Sequence, residues 1–76
     1  MALTTAQKAV TLELVASMDT HGKRIDSITI ANVYRDETGE CIDWHEFAYY
    51  LDELRNKGIL RVTQGGGYTQ YKLARA

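Results

Sequence analysis

Residues 54–76 read LRNKGILRVTQGGGYTQYKLARA, and their order decides the fold. A helical run ends at Lys57-Gly58, where the glycine supplies the left-handed residue that closes a helix. Ile59-Leu60-Arg61-Val62-Thr63 then has strand character, Gln64-Gly65-Gly66-Gly67 turns the chain, and Tyr68 to Leu73 returns. Strand side chains alternate, so Leu60 and Val62 share a face with Thr69, Tyr71 and Leu73. Arg61, Thr63, Tyr68, Gln70 and Lys72 point the other way. A lone hairpin is unstable in water, so this one is expected to pack on helices through its apolar face.

Working back from the hairpin, Asp43 followed by Glu46 has the form of a capping box. It opens a helix over about 43–57 whose Phe47, Tyr50, Leu51 and Leu54 fall at helical spacing. A shorter helix is expected over about 28–36, capped by Ser27 or Thr29, with Ile30, Val33 and Tyr34 as its buried side and Thr38-Gly39 as the following turn. Lys23 to Ile28 forms a link with room for a short β-bridge. The first helix is expected over about 5–19, capped by Thr4 or Thr5 and stopped by Asp19-Thr20-His21-Gly22. Its apolar face is read as Ala6, Ala9, Val10, Leu14, Val15 and Met18. The expected architecture is a single α+β domain over residues 1–76: three helices, with the hairpin over about 59–73 closing the open side of their core.

Seventy-six residues, 45% of them hydrophobic, make one small domain near the lower limit for folding without staples. The single cysteine cannot form an internal disulfide, which points to a reducing, cytoplasmic setting. No apolar run approaches the roughly 20 residues that span a bilayer. The opening MALTTAQKAV lacks the basic start and apolar core of a signal peptide. No membrane association is expected.

The net charge of −1 hides a strong asymmetry. Residues 36–53, DETGECIDWHEFAYYLDE, carry seven acids and no Lys or Arg. Residues 54–76 carry Arg55, Lys57, Arg61, Lys72 and Arg75 and no acid.

The order helix, helix, helix, strand, strand, together with the segment FAYYLDELRNKGILRV, resembles the winged helix-turn-helix superfamily over nearly all of the chain. Leu51, Leu54, Gly58 and Ile59 match that superfamily's L-x-x-L-x-x-x-G-[IL]-[IL] run. The Val33-Tyr34 pair in the second helix is similar to the terminal winged helices of archaeal replication initiators of the origin-recognition type. The C-terminal winged helix of archaeal replicative helicases (MCM) is similar as well, and ALTTAQKAV resembles the start of LexA-type repressor domains. These resemblances share the superfamily and diverge below it. The resemblance implies a third helix that enters the DNA major groove and a wing that lies along the backbone or minor groove.

The residues themselves leave two functions open. With Phe47, Leu51 and Leu54 inward, the third helix presents His45, Glu46, Tyr49, Asp52, Glu53 and Asn56 outward. Base edges are usually read by Arg, Lys, Asn or Gln, and of these outward residues only His45, Tyr49 and Asn56 could serve. Glu46, Asp52 and Glu53 would oppose phosphates. The helix is therefore a solvated acidic face, a base-reading face, or a protein-docking face built on Glu46, Tyr49, Asp52 and Glu53. The wing is the stronger nucleic-acid candidate, through Arg61, Gln64, Tyr68, Gln70 and Lys72 and a glycine turn whose N–H groups can donate to phosphate. Arg55 at the end of the third helix, and Lys23 and Arg24 before the second, are further candidates for flanking phosphates. The alternative for each is an ordinary solvated cation.

Trp44 and Phe47 are expected in the core, although an aromatic at Trp44 could also stack on a base or anchor a partner. Cys41 and His45, with His21, are too few for a structural zinc site, and Cys41 is expected to be a small buried residue. No phosphate-binding loop or Ser-His-acid set points to catalysis. The expected function is binding of double-stranded DNA in transcription regulation or replication, mainly through the basic wing, on the nucleoid and with no cofactor, metal or small-molecule substrate. The alternative is a protein-interaction or homodimerisation module using the acidic, Tyr-rich third helix.

Overall fold

The structure is a computed structural model that describes residues 2–65 and 68–74, with only the backbone at Gln64, Gly65 and Tyr68. Three helices precede a two-stranded antiparallel sheet: α1 (Thr5–Thr20), α2 (Ser27–Thr38), α3 (Trp44–Asn56), β1 (Leu60–Gly65) and β2 (Tyr68–Leu73). Each element lies within two residues of its expected bounds. Gly66 and Gly67 of the expected turn, Arg75, and the side chains of Gln64 and Tyr68 lie outside the described residues.

Each helix begins with a side chain that satisfies an orphan N–H. Thr4 accepts from the Gln7 N–H at 3.1 Å, and the Gln7 side chain accepts in return from the Thr4 N–H at 2.8 Å. At α2 the cap is Asp26 rather than Ser27 or Thr29; its Oδ1 accepts from the Thr29 N–H at 2.8 Å. Asp43 caps α3 through the His45 N–H at 2.9 Å, one position short of the expected box, because the Glu46 N–H goes to the Asp43 carbonyl at 3.0 Å. α3 ends at Gly58, where φ is +78°. There the Ile59 N–H returns to the Leu54 carbonyl and the Gly58 N–H to that of Arg55, the paired closure that only a left-handed residue permits.

The hairpin register pairs Leu60 with Leu73, Arg61 with Lys72, Val62 with Tyr71 and Thr63 with Gln70, so the two faces are sorted as alternation requires. Ile25 adds an isolated bridge to β2, with the Tyr71 N–H donating to its carbonyl at 2.9 Å. This is the bridge that the link before α2 left room for.

Phe47, Leu51, Ile30, Ile25 and Val15 are fully buried, and Leu60 and Tyr71 at the hairpin base close the core over α3. The apolar side of α1 is rotated from the expected one. Ala6 and Ala9 are exposed, while Thr11, Val15 and Met18 are buried, with Leu3 tucked in ahead of the helix. Thr11 tolerates burial because its hydroxyl donates to the Gln7 carbonyl at 2.7 Å. Three further expectations fail. Trp44 is 43% exposed, Cys41 is exposed, and of the hairpin's inward face only the base packs, Val62 and Thr69 being exposed. Among the described residues no helix is long and apolar enough to cross a membrane.

Candidate nucleic-acid interface

Directly opposed residues of an antiparallel pair hold their Cβ atoms about 4.5–5.5 Å apart, and like charges there are unfavourable. Arg61 and Lys72 occupy such a pair, both exposed. They line a crevice of about 360 Å³ with Asp19, Leu73 and Ala74. Asp19 also accepts from the Leu73 N–H at 3.4 Å, which joins the end of α1 to β2. Among the described residues, two cations thus stand beside one carboxylate, that of Asp19. Neither forms an ion pair among the described residues. Thr63 and Gln70, half-buried, form the next pair toward the tip.

The acids of α3 are in a different state. Asp52 holds Arg55, its Oδ1 accepting from Nη2 at 2.7 Å and from Nε at 3.1 Å. Glu53 is turned toward α1 and is shared by Lys8 at 3.1 Å and Lys57 at 3.2 Å. Hydrogen bonds from Lys8 and then Lys57 hold its carboxyl below the ordinary value. Asp43 is likewise lowered, first by the His45 backbone N–H and then by the His45 ring, whose Nδ1 lies 2.7 Å away. Glu46 is half-buried rather than fully outward. Of the seven acids in the run, Asp36, Asp52 and Glu53 are paired with Arg35, with Arg55, and with Lys8 and Lys57, while Glu40 meets the neutral Gln7 and Tyr34. Of the acidic docking face expected on α3, Glu53 faces α1 instead of solvent.

The remaining candidates are dispersed. Tyr49 is 70% exposed on the outer side of α3, near the exposed His45. Arg24 stands 4.0 Å from Asp26 at the start of α2. Lys23 lines a separate crevice between α1 and α2 beside Glu37. The structure brings Arg61 and Lys72 together, ties Arg55 to Asp52, and leaves Lys23 apart from the hairpin cations.

A second concavity was not anticipated. Ile28, Trp44, Ala48 and Tyr71 form the apolar walls of a groove of about 300 Å³ between the starts of α2 and α3 and strand β2. The Trp44 ring stacks on the His45 ring at 3.7 Å between centroids. The signal available in sequence was the place of Trp44 as the first residue of α3. A helical side chain leans toward the N-terminus, so at this position it leaves the helix body instead of entering the core.

Among the described residues no group of three or more His, Cys, Asp or Glu could hold a metal ion. Comparison of the chain with protein families, with characterised proteins and with solved structures gives no match.

Proposed function

We propose that this chain is a winged-helix module that binds double-stranded DNA in transcription regulation or replication, with β1 and β2 as the wing. In this reading it works in the cytoplasm, on the nucleoid, as a binding protein without catalysis or cofactor. The observation that carries it is the Arg61–Lys72 pair. Two cations are held directly opposite each other, with Asp19 the one carboxylate beside them among the described residues, an arrangement that costs the fold stability and favours an anion. Matching of Asp52 and Glu53 by Arg55, Lys8 and Lys57 removes much of the repulsion that an acidic third helix would offer phosphate. Affinity then comes mainly from phosphate contacts, with modest sequence preference through His45, Tyr49 and the wing tip.

The test is a titration with random-sequence duplex at low salt, followed by residue-resolved NMR shifts. Shifts concentrated at residues 61–63 and 70–72 are expected. Binding without shifts in the hairpin would refute the wing as the contact.

A second reading rests on Tyr49, whose 70% exposure on a helix of a domain this small suits a docking face for a protein partner or a second copy. Sedimentation of the parent and of Tyr49→Ala decides it for self-association: a concentration-dependent dimer lost in the variant would support it, and a monomer in both would remove the homodimer.

A further inference from the structure

We infer that the groove at Trp44 takes one unpaired nucleobase of a DNA strand, so that the module prefers DNA with a single-stranded segment or a frayed end to a fully paired duplex; this rests on the DNA-binding reading above. A nucleobase is a flat apolar ring with a polar edge, and the groove has that division. Trp44, Ile28, Ala48 and Tyr71 provide apolar walls, while Asp26, Ser27 and Thr69 are its polar lining. Its volume of about 300 Å³ lies at the small end of the roughly 300–1,000 Å³ found for small-molecule sites.

Charge complementarity favours an occupant that carries an anion beside its flat ring over a purely apolar one. Arg24 lines the adjoining crevice together with Asp26 and Ile28, which also line the groove. A base against Trp44 therefore leaves its phosphate near a guanidinium. Asp26, 4.0 Å from Arg24, offsets part of that charge, but it is buried and engaged as the α2 cap with the Thr29 N–H, whereas the Arg24 side chain is exposed and is the group open to the phosphate. The Trp44 indole is prepared for the contact. It is 43% exposed, and its stack on His45, itself tied to Asp43 at 2.7 Å, restricts its rotation. An exposed aromatic with a cation in the adjoining crevice is the combination used to bind single strands.

Trp44 is the only tryptophan of the chain, so its fluorescence reports on the groove without labelling. The full chain is titrated at low salt with oligothymidylate of about ten nucleotides and, separately, with a blunt duplex. Binding of each is followed in parallel by anisotropy of an end-labelled strand. Saturable quenching by oligothymidylate, with little or none from bound duplex, is expected. Trp44→Ala should weaken oligothymidylate binding roughly 5- to 150-fold, the fold-change for losing one base stack, while Trp44→Phe keeps most of it. Both variants should leave duplex affinity near that of the parent, and since Trp44 is exposed their thermal unfolding should stay close to it as well.

Duplex binding by anisotropy with a Trp44 signal that neither ligand changes would overturn the groove assignment and leave the wing reading standing. Equal quenching by both ligands would overturn the preference for an unpaired base. Absence of binding to either ligand would remove both readings, and capture of a peptide at Trp44 would then assign the groove to a protein.

Discussion

Asp52→Asn isolates the electrostatics of α3. In the parent, Arg55 donates through both Nε and Nη2 to one oxygen of Asp52, and both side chains are about half exposed. An exposed pair of this kind contributes only about 0.2–1 kcal/mol, so the substitution should barely alter unfolding. Its effect on binding is larger, because it frees one guanidinium on the side of α3 that faces the hairpin; Asp52 and Arg55 both lie close enough to Tyr71 to act on its phenol. One added phosphate contact steepens the plot of log affinity against log salt by about 0.9. The variant should therefore bind duplex more tightly at low salt. Its advantage should shrink about 3.5-fold between 50 and 200 mM salt, the effect of that slope over a fourfold change. Fluorescence anisotropy at four or five salt concentrations measures it. Glu13→Gln is the control: Glu13 is exposed on α1 and forms no ion pair among the described residues, so the substitution removes the same charge without freeing a cation and should leave the slope alone. If Asp52→Asn has the parent's slope and affinity, this side of α3 does not approach DNA.

Three further outcomes concern the scaffold. Leu54→Ala, at a site with 2% exposure, should cost about 2–5 kcal/mol out of the roughly 4–11 kcal/mol expected for a domain of this size; an unchanged urea midpoint would show that Leu54 is not in the core. Asp26→Ala removes the α2 cap and should cost about 1 kcal/mol, with hydrogen exchange rising first at the start of α2 and not at α3. Folding lowers the Glu53 carboxyl below its ordinary 4.5, so its contribution is complete above that value and is lost as the pH falls through the folded pKa. Between about pH 6 and pH 3 the parent should therefore lose more stability than Glu53→Gln, and parallel declines would dissociate Glu53 from the acid response.

The parts of the fold that were legible are those governed by a period. Phe47, Tyr50, Leu51 and Leu54 lie inward because their spacing matches the helix. That Arg61 and Lys72 share one face follows from alternation; their direct pairing is a matter of register, which alternation alone does not give. Errors arose where a single contact outweighed the pattern. Thr11 replaced the alanines on the buried side of α1 because its hydroxyl found the Gln7 carbonyl. Asp26 displaced Ser27 as the cap through a carboxylate that the fold buries. In the candidate site, the Asp52–Arg55 spacing was readable as an i,i+3 pair. The Lys8–Glu53 contact joins residues 45 apart, which no local pattern encodes, and it is what turns Glu53 away from the outer face. The groove at Trp44 is assembled from α2, α3 and β2 and became visible only when those elements were placed together.

Salt-dependent duplex binding by the double variant Arg61→Gln, Lys72→Gln bears on the wing without intermediaries. Both residues are exposed, and removing two opposed cations relieves repulsion, so the variant should fold at least as well as the parent. Loss of two phosphate contacts should weaken binding at low salt and flatten the slope of log affinity against log salt by up to about 1.8, with any sequence preference retained. A double variant with the parent's affinity and slope would contradict the wing as the DNA-binding surface.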